Sequence, residues 1–242
     1  MDTVSTASVV APEYTTCSPD RSIASLRLLQ LSSPALPVGA YSYSQGLEWM
    51  VEQGVLVDVA SVSRWVGDVL RESMAHGEAI YLVHMLRAWR REEPLQALQY
   101  DEVFTASRDT AELRAETLQM GFSMRQLMKQ MRIDIPEELN QSTSVTFPCA
   151  WSYLAHHWGL SDQEAVIGYL WSWLENQVMA AVKCVPLGQS EGQRLLLELS
   201  CHIDHHLDAI LHSSIEDAVN SLPGYALASC FHETQYTRLF RS

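Results

Sequence analysis

The sequence predicts an all-α protein in which roughly ten helices form a single-domain bundle. Apolar residues recur three and four residues apart along most of the chain, as they do on one face of a helix. No segment of any length alternates apolar with polar residues as a half-buried strand does. Prolines and glycines separate the helical stretches. Because 47% of the 242 residues are hydrophobic, the chain is able to bury a sizeable core.

The N-terminal part of the chain is expected to hold a leader and two helices. Residues 1–18 are small and polar without periodicity, so we expect a disordered leader before a single domain at 19–242. Ser18 and Pro19 suit the start of the first helix, which the prolines of the following loop bring to an end. A second helix is expected to end near Gly54.

Four further helices are expected up to residue 131. Asp58 is expected to cap one of them, and its periodic pattern is repeated in another over residues 79–86. Pro94 suits a helix start, and Asp109 with Glu112 resembles a capping box in its acidic form. The last of these helices carries a methionine stripe, which we interpret as core rather than as a copper site, since methionine fills irregular gaps. These methionines are Met120, Met124, Met128 and Met131.

The second half of the chain is expected to contain three helices and a tail. Residues 132–147 are predicted to form a loop before a short buried helix. Ser161 and Glu164 form a capping box for a long helix, and residues 186–193 separate it from the last long one. From Asn220 the chain is of mixed character. The tryptophans interpreted as core are Trp151, Trp158, Trp171 and Trp173.

The composition disfavours several classes of function. The chain has 16 basic and 29 acidic residues, hence a net charge of −13, which opposes binding to nucleic acid or to anionic membranes. Its five cysteines are odd in number and show no CxxC spacing, so we expect neither a disulfide framework nor a zinc finger. The sequence shows no signal peptide and no apolar run of the roughly 20 residues that span a bilayer. We therefore expect a cytoplasmic protein.

The motifs predict no catalysis and no cofactor. The sequence contains no GxxxxGK[ST] loop, no HExxH and no GxSxG, and its carboxylates are expected on solvated helix faces. One polar helix face, however, gathers side chains that bind nickel or zinc in other proteins, within about 60° of one another. A solvated, histidine-rich face is the alternative interpretation. The candidate ligands are Cys201, His205, Asp208 and His212.

Four segments resemble, in the same order, the UreF family of urease accessory proteins: residues 36–54, 108–121, 181–196 and 232–242. Proteins of that family are all-helical dimers that bind UreD (UreH in some organisms) and the GTPase UreG, in an assembly that delivers nickel to apo-urease. The resemblance implies a non-catalytic chaperone that regulates the GTPase during nickel insertion. A carrier that binds nickel directly is the alternative. The histidine-rich stretch at 202–206 lies outside the family pattern.

The loop before Gly54 and the end of a long helix supply candidate partner-binding residues. Prolines and glycines fix this loop, so its tyrosines either contact a partner or pack as core. Lys183 either favours the dipole of its helix or reaches the GTPase. Gln189 and Gln193 are not required by their turn, and they suit a binding site or an interhelical hydrogen-bond network equally. The loop candidates are Tyr41, Tyr43, Gln45 and Glu48.

The C-terminal segment is expected to be an anchor. Chain ends are usually bland in composition, whereas this one places aromatic residues beside arginines. The anchor docks on the chain's own helices, on a twin subunit or on UreD, and the resemblance favours the last two. The candidate residues are His232, Tyr236, Arg238, Phe240 and Arg241.

Overall fold

The computed structural model describes residues 21–219 and 222–242. Within these residues every regular element is a helix. Eleven α-helices and no strand occur in these residues, so the predicted all-α class is confirmed. The predicted leader at 1–18 and the helix start at Ser18 lie outside the described residues. None of the described helices is long and apolar enough to cross a membrane.

The helices follow one another in a simple order. They are α1 (Arg21–Leu31), α2 (Leu47–Glu52), α3 (Val59–Val69), α4 (Ala79–Arg90), α5 (Pro94–Ala106), α6 (Ala111–Gln130), α7 (Glu137–Gln141), α8 (Phe147–His157), α9 (Asp162–Cys184), α10 (Gln189–His212) and α11 (Pro223–His232). Two 3-10 turns, at Ala40–Ser42 and Ile215–Asp217, and a π-helical segment at Leu70–Glu78 accompany them.

Helices α4 and α8 form the centre of the bundle. In α8 every residue from Phe147 to Ala155 is buried, which explains why this stretch of sequence shows no polar face. Helix α8 packs against α4 and α6, and α5 and α9 also lie on α4. The core interpretation of the methionines is confirmed for Met120, Met124 and Met128. Among the tryptophans, Trp151 and Trp173 are buried, and the other two are partly buried.

Helix α3 continues through the π-helical segment into α4, where the sequence predicted two separate helices. The segment ends at Glu78, whose side chain is buried. Its carboxylate accepts a hydrogen bond from Arg108 Nη1 at 2.7 Å and another from the Tyr169 hydroxyl. π-helical turns inside α-helices are frequent at functional sites. Here the turn places an ion pair in the core, where one partner without the other would be costly.

Two of the three predicted N-caps are confirmed. Asp58 Oδ1 accepts the Ser61 N–H at 2.8 Å, and Ser161 Oγ accepts the Glu164 N–H at 3.1 Å. The prediction for Asp109 is wrong, because Thr110 is the N-cap and accepts the Leu113 N–H at 3.1 Å.

Two stretches that were predicted without helix contain one. Helix α7 lies within the predicted loop at 132–147, and α11 lies within the stretch predicted to be of mixed character after Asn220. Pro223 occupies the first turn of α11, where proline is favoured because that N–H has no helical partner. Proline there signals a helix start rather than a break.

Gly121 allows α6 to lie close to the segment that precedes α8. A Cβ atom at this position would lie 2.0 Å from the Val145 carbonyl oxygen and 2.6 Å from the Thr146 carbonyl carbon. Both atoms belong to the backbone, so a neighbouring rotamer cannot relieve the clash. The glycine therefore sets the separation of α6 and α8.

We predict that Gly121→Ala lowers the free energy of unfolding by about 3 kcal/mol, because overpacking forces the backbone apart. Urea denaturation followed by circular dichroism measures the change. Gly67→Ala in α3 is the matched control, since the nearest atom to its Cβ would be Leu199 Cδ2 at 3.4 Å. Alanine also raises helix propensity there by about 1 kcal/mol. Equal destabilisation by the two substitutions would contradict the close approach.

Candidate partner-binding site

The loop at 32–46 is held in one conformation by its glycines and its contact with α11. Gly39 and Gly46 have φ of 84° and 81°, in the left-handed region that favours glycine. A Cβ on Gly46 would lie 2.8 Å from the Ala228 carbonyl carbon and from the Ser229 nitrogen. The backbone of the loop thus rests directly on the backbone of α11, just where α2 begins.

Tyr43 and Gln45 point into the protein rather than outward. Tyr43 is buried, and its carbonyl accepts Asn176 Nδ2 at 3.1 Å. Gln45 Oε1 accepts Trp173 Nε1 at 2.8 Å and the Tyr225 hydroxyl at 3.0 Å. Both residues were candidates for partner contact, but in the structure they tie the loop to α9 and α11. Tyr41 is half-buried, and its burial together with nearby Glu175 raises its pKa to about 12.

The C-terminal tail docks on this loop of the same chain. The Arg241 N–H donates to the Ser42 carbonyl at 2.7 Å, and the Gln45 N–H donates to the main-chain oxygen of Ser242 at 2.9 Å. The Ser44 N–H donates to the same oxygen. Phe240 and Ser242 are buried, whereas the resemblance favoured a twin subunit or UreD as the docking surface. These main-chain N–H and C=O groups of the loop are not bonded within a helix, and the tail supplies their hydrogen-bond partners.

Four titratable side chains, Glu48, Glu112, His232 and Arg238, fasten the tail, and we call them the tail clamp. Glu48 accepts the Leu239 N–H at 2.6 Å and the Phe240 N–H at 3.0 Å. Arg238 Nη1 donates to Glu112 Oε1 at 2.8 Å.

The histidine of the clamp lies between its two carboxylates. His232 has a fully buried side chain, with Nδ1 2.9 Å from Glu112 Oε2 and Nε2 3.3 Å from Glu48 Oε2. A carboxylate only accepts hydrogen bonds, so both contacts are satisfied together only when each ring nitrogen carries a hydrogen. The imidazole therefore lies as a bridge between the two glutamates under the tail.

Lys183 lies over the junction of loop and tail. It is exposed in the last turn of α9. Its ammonium nitrogen is 5.4 Å from the centre of the Phe240 ring and 5.9 Å from that of Tyr41. Both distances are within the range of cation–π attraction. The ammonium group of Lys183 is thus exposed to solvent on its outer side and lies above two aromatic rings on its inner side.

The outer side of the site is apolar. Leu227 and Phe231 are half-exposed on one face of α11, and Trp49 of α2 stacks on Phe231 with ring centres 4.9 Å apart. In the tail, Tyr236 is fully exposed and Leu239 is 66% exposed. Exposed aromatic and aliphatic side chains on an ordered backbone are candidates for contact with a partner. We call these five residues the apolar face.

Gln189 and Gln193 are exposed at the start of α10, so burial in an interhelical network does not account for them. The turn that precedes them is held instead by Glu191, whose Oε2 accepts the Gly188 N–H at 2.8 Å. The structure leaves these two glutamines on the surface.

The candidate metal ligands stay in line on an exposed face of α10 but make local contacts. His212 Nδ1 lies 2.8 Å from the Asp208 carbonyl, and Cys201 Sγ donates to the carbonyl of Leu197. Within the described parts of the chain, no group of three His, Cys, Asp or Glu side chains is placed to hold a metal ion. His205 is likewise exposed.

Sequence reasoning missed the buried carboxylates. Glu78, Glu112 and Glu116 were expected on solvated faces, yet Glu78 and Glu116 are buried and the Glu112 side chain is 12% exposed. A signal existed for Glu116, because it lies three residues after Leu113 and four before Met120, two apolar positions of the same helix face. Burial raises the pKa of Glu116 to about 7.

The chain is similar to proteins of one family along most of its length. The family model described as UreF matches residues 56–200. The urease accessory protein UreF of Azoarcus sp. (strain BH72) is 49% identical over 222 residues, which are 90% of this chain and 95% of that protein. The UreF of Dechloromonas aromatica (strain RCB) is 47% identical over 220 residues, 89% and 96% of the two chains. The similarity therefore reaches well beyond the four motifs.

We predict that Glu48→Ala releases the tail while the helical content stays unchanged. The substitution removes the acceptor of two tail N–H groups and one partner of His232, and leaving donors of this kind without an acceptor costs about 3 kcal/mol in total. Hydrogen exchange of residues 236–242 should accelerate about a hundredfold. Glu52→Ala, an exposed position on the same helix, is the control, and the clamp is contradicted if both variants exchange alike.

Proposed function

The chain belongs to the UreF family of urease accessory proteins, and we propose that it is a non-catalytic scaffold of urease maturation. In this proposal it joins UreD (UreH in some organisms) to the GTPase UreG and regulates GTP-dependent nickel insertion into apo-urease. It works in the cytoplasm as a homodimer. The observation that carries the proposal is the division of the tail into buried residues that fasten it and exposed apolar residues that remain free for a partner.

The apolar face suits UreD as its partner. Residues that fasten the tail, such as Phe240 and the clamp, are buried or paired within the chain. Tyr236 and Leu239 are held in place by these contacts yet expose their side chains. Aromatic and apolar residues on a preorganised backbone are those that dominate binding energies. The clamp therefore positions the apolar face for binding.

Lys183 suits contact with UreG. It is a cation on a chain of net charge −13, and it lies over Tyr41 of the loop and over Phe240, which anchors the tail that carries Tyr236 and Leu239 of the proposed UreD surface. A partner that recognises Lys183 would therefore respond to whether the tail is docked. This arrangement supports one scaffold surface on which two partners meet.

We predict that Leu239→Ala weakens assembly with UreD and UreG at least tenfold, because the truncation removes apolar contact from the proposed interface. Size-exclusion chromatography of the mixed proteins measures assembly, and circular dichroism should show an unchanged fold. Leu197→Ala on α10 is the matched control, since that leucine is 75% exposed and lies away from the tail in the sequence. Full assembly by the Leu239 variant would reject this surface.

We predict that Lys183→Ala alters urease activation while changing the free energy of unfolding by no more than about 1 kcal/mol, the size of a helix-dipole contribution. Urease activity after reconstitution with apo-urease, UreD, UreG, GTP and nickel is the measurement. Lys129→Ala is the control, because Lys129 is also exposed in the last turn of a long helix, α6. If the Lys183 variant activates urease at the wild-type level, the proposed contact between Lys183 and UreG is wrong.

A further inference from the structure

Two histidines that are distant along the chain meet at the surface of the bundle. His76 belongs to the π-helical segment, and His206 lies in α10, which packs against that segment. Their ring centres are 5.3 Å apart, and the ring planes cross at 86°. Neither histidine belongs to the loop, the tail clamp or the apolar face. The pair is therefore a second cluster of side chains with chemical potential, separate from the site described above.

Solvent reaches this pair, while the backbone that carries it is held by other contacts. The His76 side chain is 45% exposed, and His206 is partly buried. The His76 carbonyl accepts the Val219 N–H at 2.8 Å. The π-helical segment ends in the buried ion pair of Glu78 with Arg108. The two imidazoles are thus presented by a framework that does not depend on them.

The separation of the two rings matches the separation that one shared metal ion requires. A zinc ion lies about 2.0–2.1 Å from each imidazole nitrogen that binds it, so two rings at a tetrahedral or octahedral angle have centres about 5 Å apart. The torsion that turns a histidine ring has a broad energy profile. His76 and His206 are therefore able to direct one nitrogen each at a common ion while their helices stay in place.

The charged neighbours of His76 favour its use as a ligand. Glu72 lies one turn earlier, with Oε2 3.6 Å from His76 Nδ1. A ligating histidine usually presents its other ring nitrogen to a carboxylate, and this arrangement leaves His76 Nε2 for the metal. Arg71, a cation that acts on His206, is paired with Glu72 at 2.6 Å and with Asp68 at 2.8 Å. Its positive charge is therefore balanced locally.

The imidazole of His206 is in its metal-binding form at neutral pH. Burial lowers the pKa of this group below its ordinary value of 6.5, and the nearby His76, His205 and His202 lower the pKa further. Metals bind the neutral imidazole. A metal ion at pH 7 therefore meets little competition from protons at His206.

We propose that His76 and His206 together bind one divalent transition-metal ion of borderline softness, such as nickel or zinc, and that the ion joins the π-helical segment to α10. Imidazole nitrogen is a ligand that both of these ions accept in proteins. Among the described residues, no group of three His, Cys, Asp or Glu side chains is placed to hold an ion. The site is therefore an open one, in which water fills the remaining positions.

A site within α10 alone is the rival arrangement. His202 lies one turn before His206, and two histidines four residues apart on one helix face also bind metal in other proteins. In the structure, however, the ring of His206 contacts the rings of His76 and His205. Adjacent residues of a helix do not face each other, so His205 is not placed to share an ion with His206. The pair that crosses between the two helices is the better placed.

Isothermal titration calorimetry of the full chain with nickel chloride at neutral pH tests the site, without partners and without a histidine tag. His76→Ala and His206→Ala should each lower the affinity at least tenfold, because a second ligand on a fixed framework acts at high effective concentration. His205→Ala is the matched control, since that histidine is exposed beside His206, and it should keep the wild-type affinity. Magnesium chloride, whose ion prefers oxygen ligands, should not bind there.

The comparison of single variants decides between the two arrangements. Wild-type affinity in His76→Ala would overturn the proposal. A loss in His202→Ala equal to the loss in His206→Ala would also overturn it, because the ion would then lie along α10 alone. Circular dichroism checks that each variant is folded.

A measurement on the wild-type chain does not depend on the folding of any variant. Nickel in an open site with water ligands is paramagnetic and broadens the NMR signals of nearby protons. At less than one equivalent of nickel, the ring signals of His76 and His206 should broaden before those of the other histidines. Broadening that begins at other histidines, or no binding of nickel at all, would contradict the site.

The outcome is independent of the scaffold role. If the chain fails to assemble with UreD and UreG but binds nickel through His76 and His206, the proposed function fails and the metal site stands. If the complex forms normally and His76→Ala leaves nickel binding unchanged, the metal site fails and the scaffold role stands.

Discussion

A carboxylate taken out of water must be given hydrogen-bond donors, and this requirement joins the two ends of the described domain. Glu48, Glu112 and Glu116 all find donors in the C-terminal tail: two main-chain N–H groups, the guanidinium of Arg238 and the hydroxyl of Ser242. The glutamates come from α2 and α6, so satisfying them brings these helices and the tail to one place. The loop at 32–46 is shaped by the same contacts.

The interior behind the loop follows the same rule. Gln45 has a positive φ of 55°, a conformation that costs free energy in a residue other than glycine. Its side-chain oxygen accepts from Trp173 and Tyr225, and its amide nitrogen donates to Glu116. These hydrogen bonds offset the backbone cost, and they fix the loop in the one conformation that matches the tail.

The parts of the fold that depend on nearby residues could be predicted from the sequence. Helix periodicity identified the all-α class, and the Asp58 and Ser161 caps were found because their partners lie three residues away. The cap of α6 was misplaced by one residue, since Asp109 and Thr110 are both good caps and the choice between them depends on tertiary contacts.

The site depends on pairs that are distant along the chain. His232 meets Glu112 across 120 residues, and Phe240 meets Glu48 across 192. No periodic pattern encodes such pairs, so the loop and tail were identified as separate candidates but not as one site. The sequence alone also does not distinguish the role of Tyr43 from that of Tyr41. In the structure Tyr43 is buried, whereas Tyr41 lies under Lys183.

The docked tail limits how a partner is able to use it. Phe240 contributes about 1.5–3 kcal/mol by its burial, and the clamp adds charged hydrogen bonds that are stronger than neutral ones. A partner that required the tail to leave the loop would have to replace all of these contacts. A partner that binds Tyr236 and Leu239 in place replaces none of them and meets an already ordered backbone. The same contacts that fold the tail inward therefore favour recognition of its outer side, and any condition that weakens them acts on recognition as well.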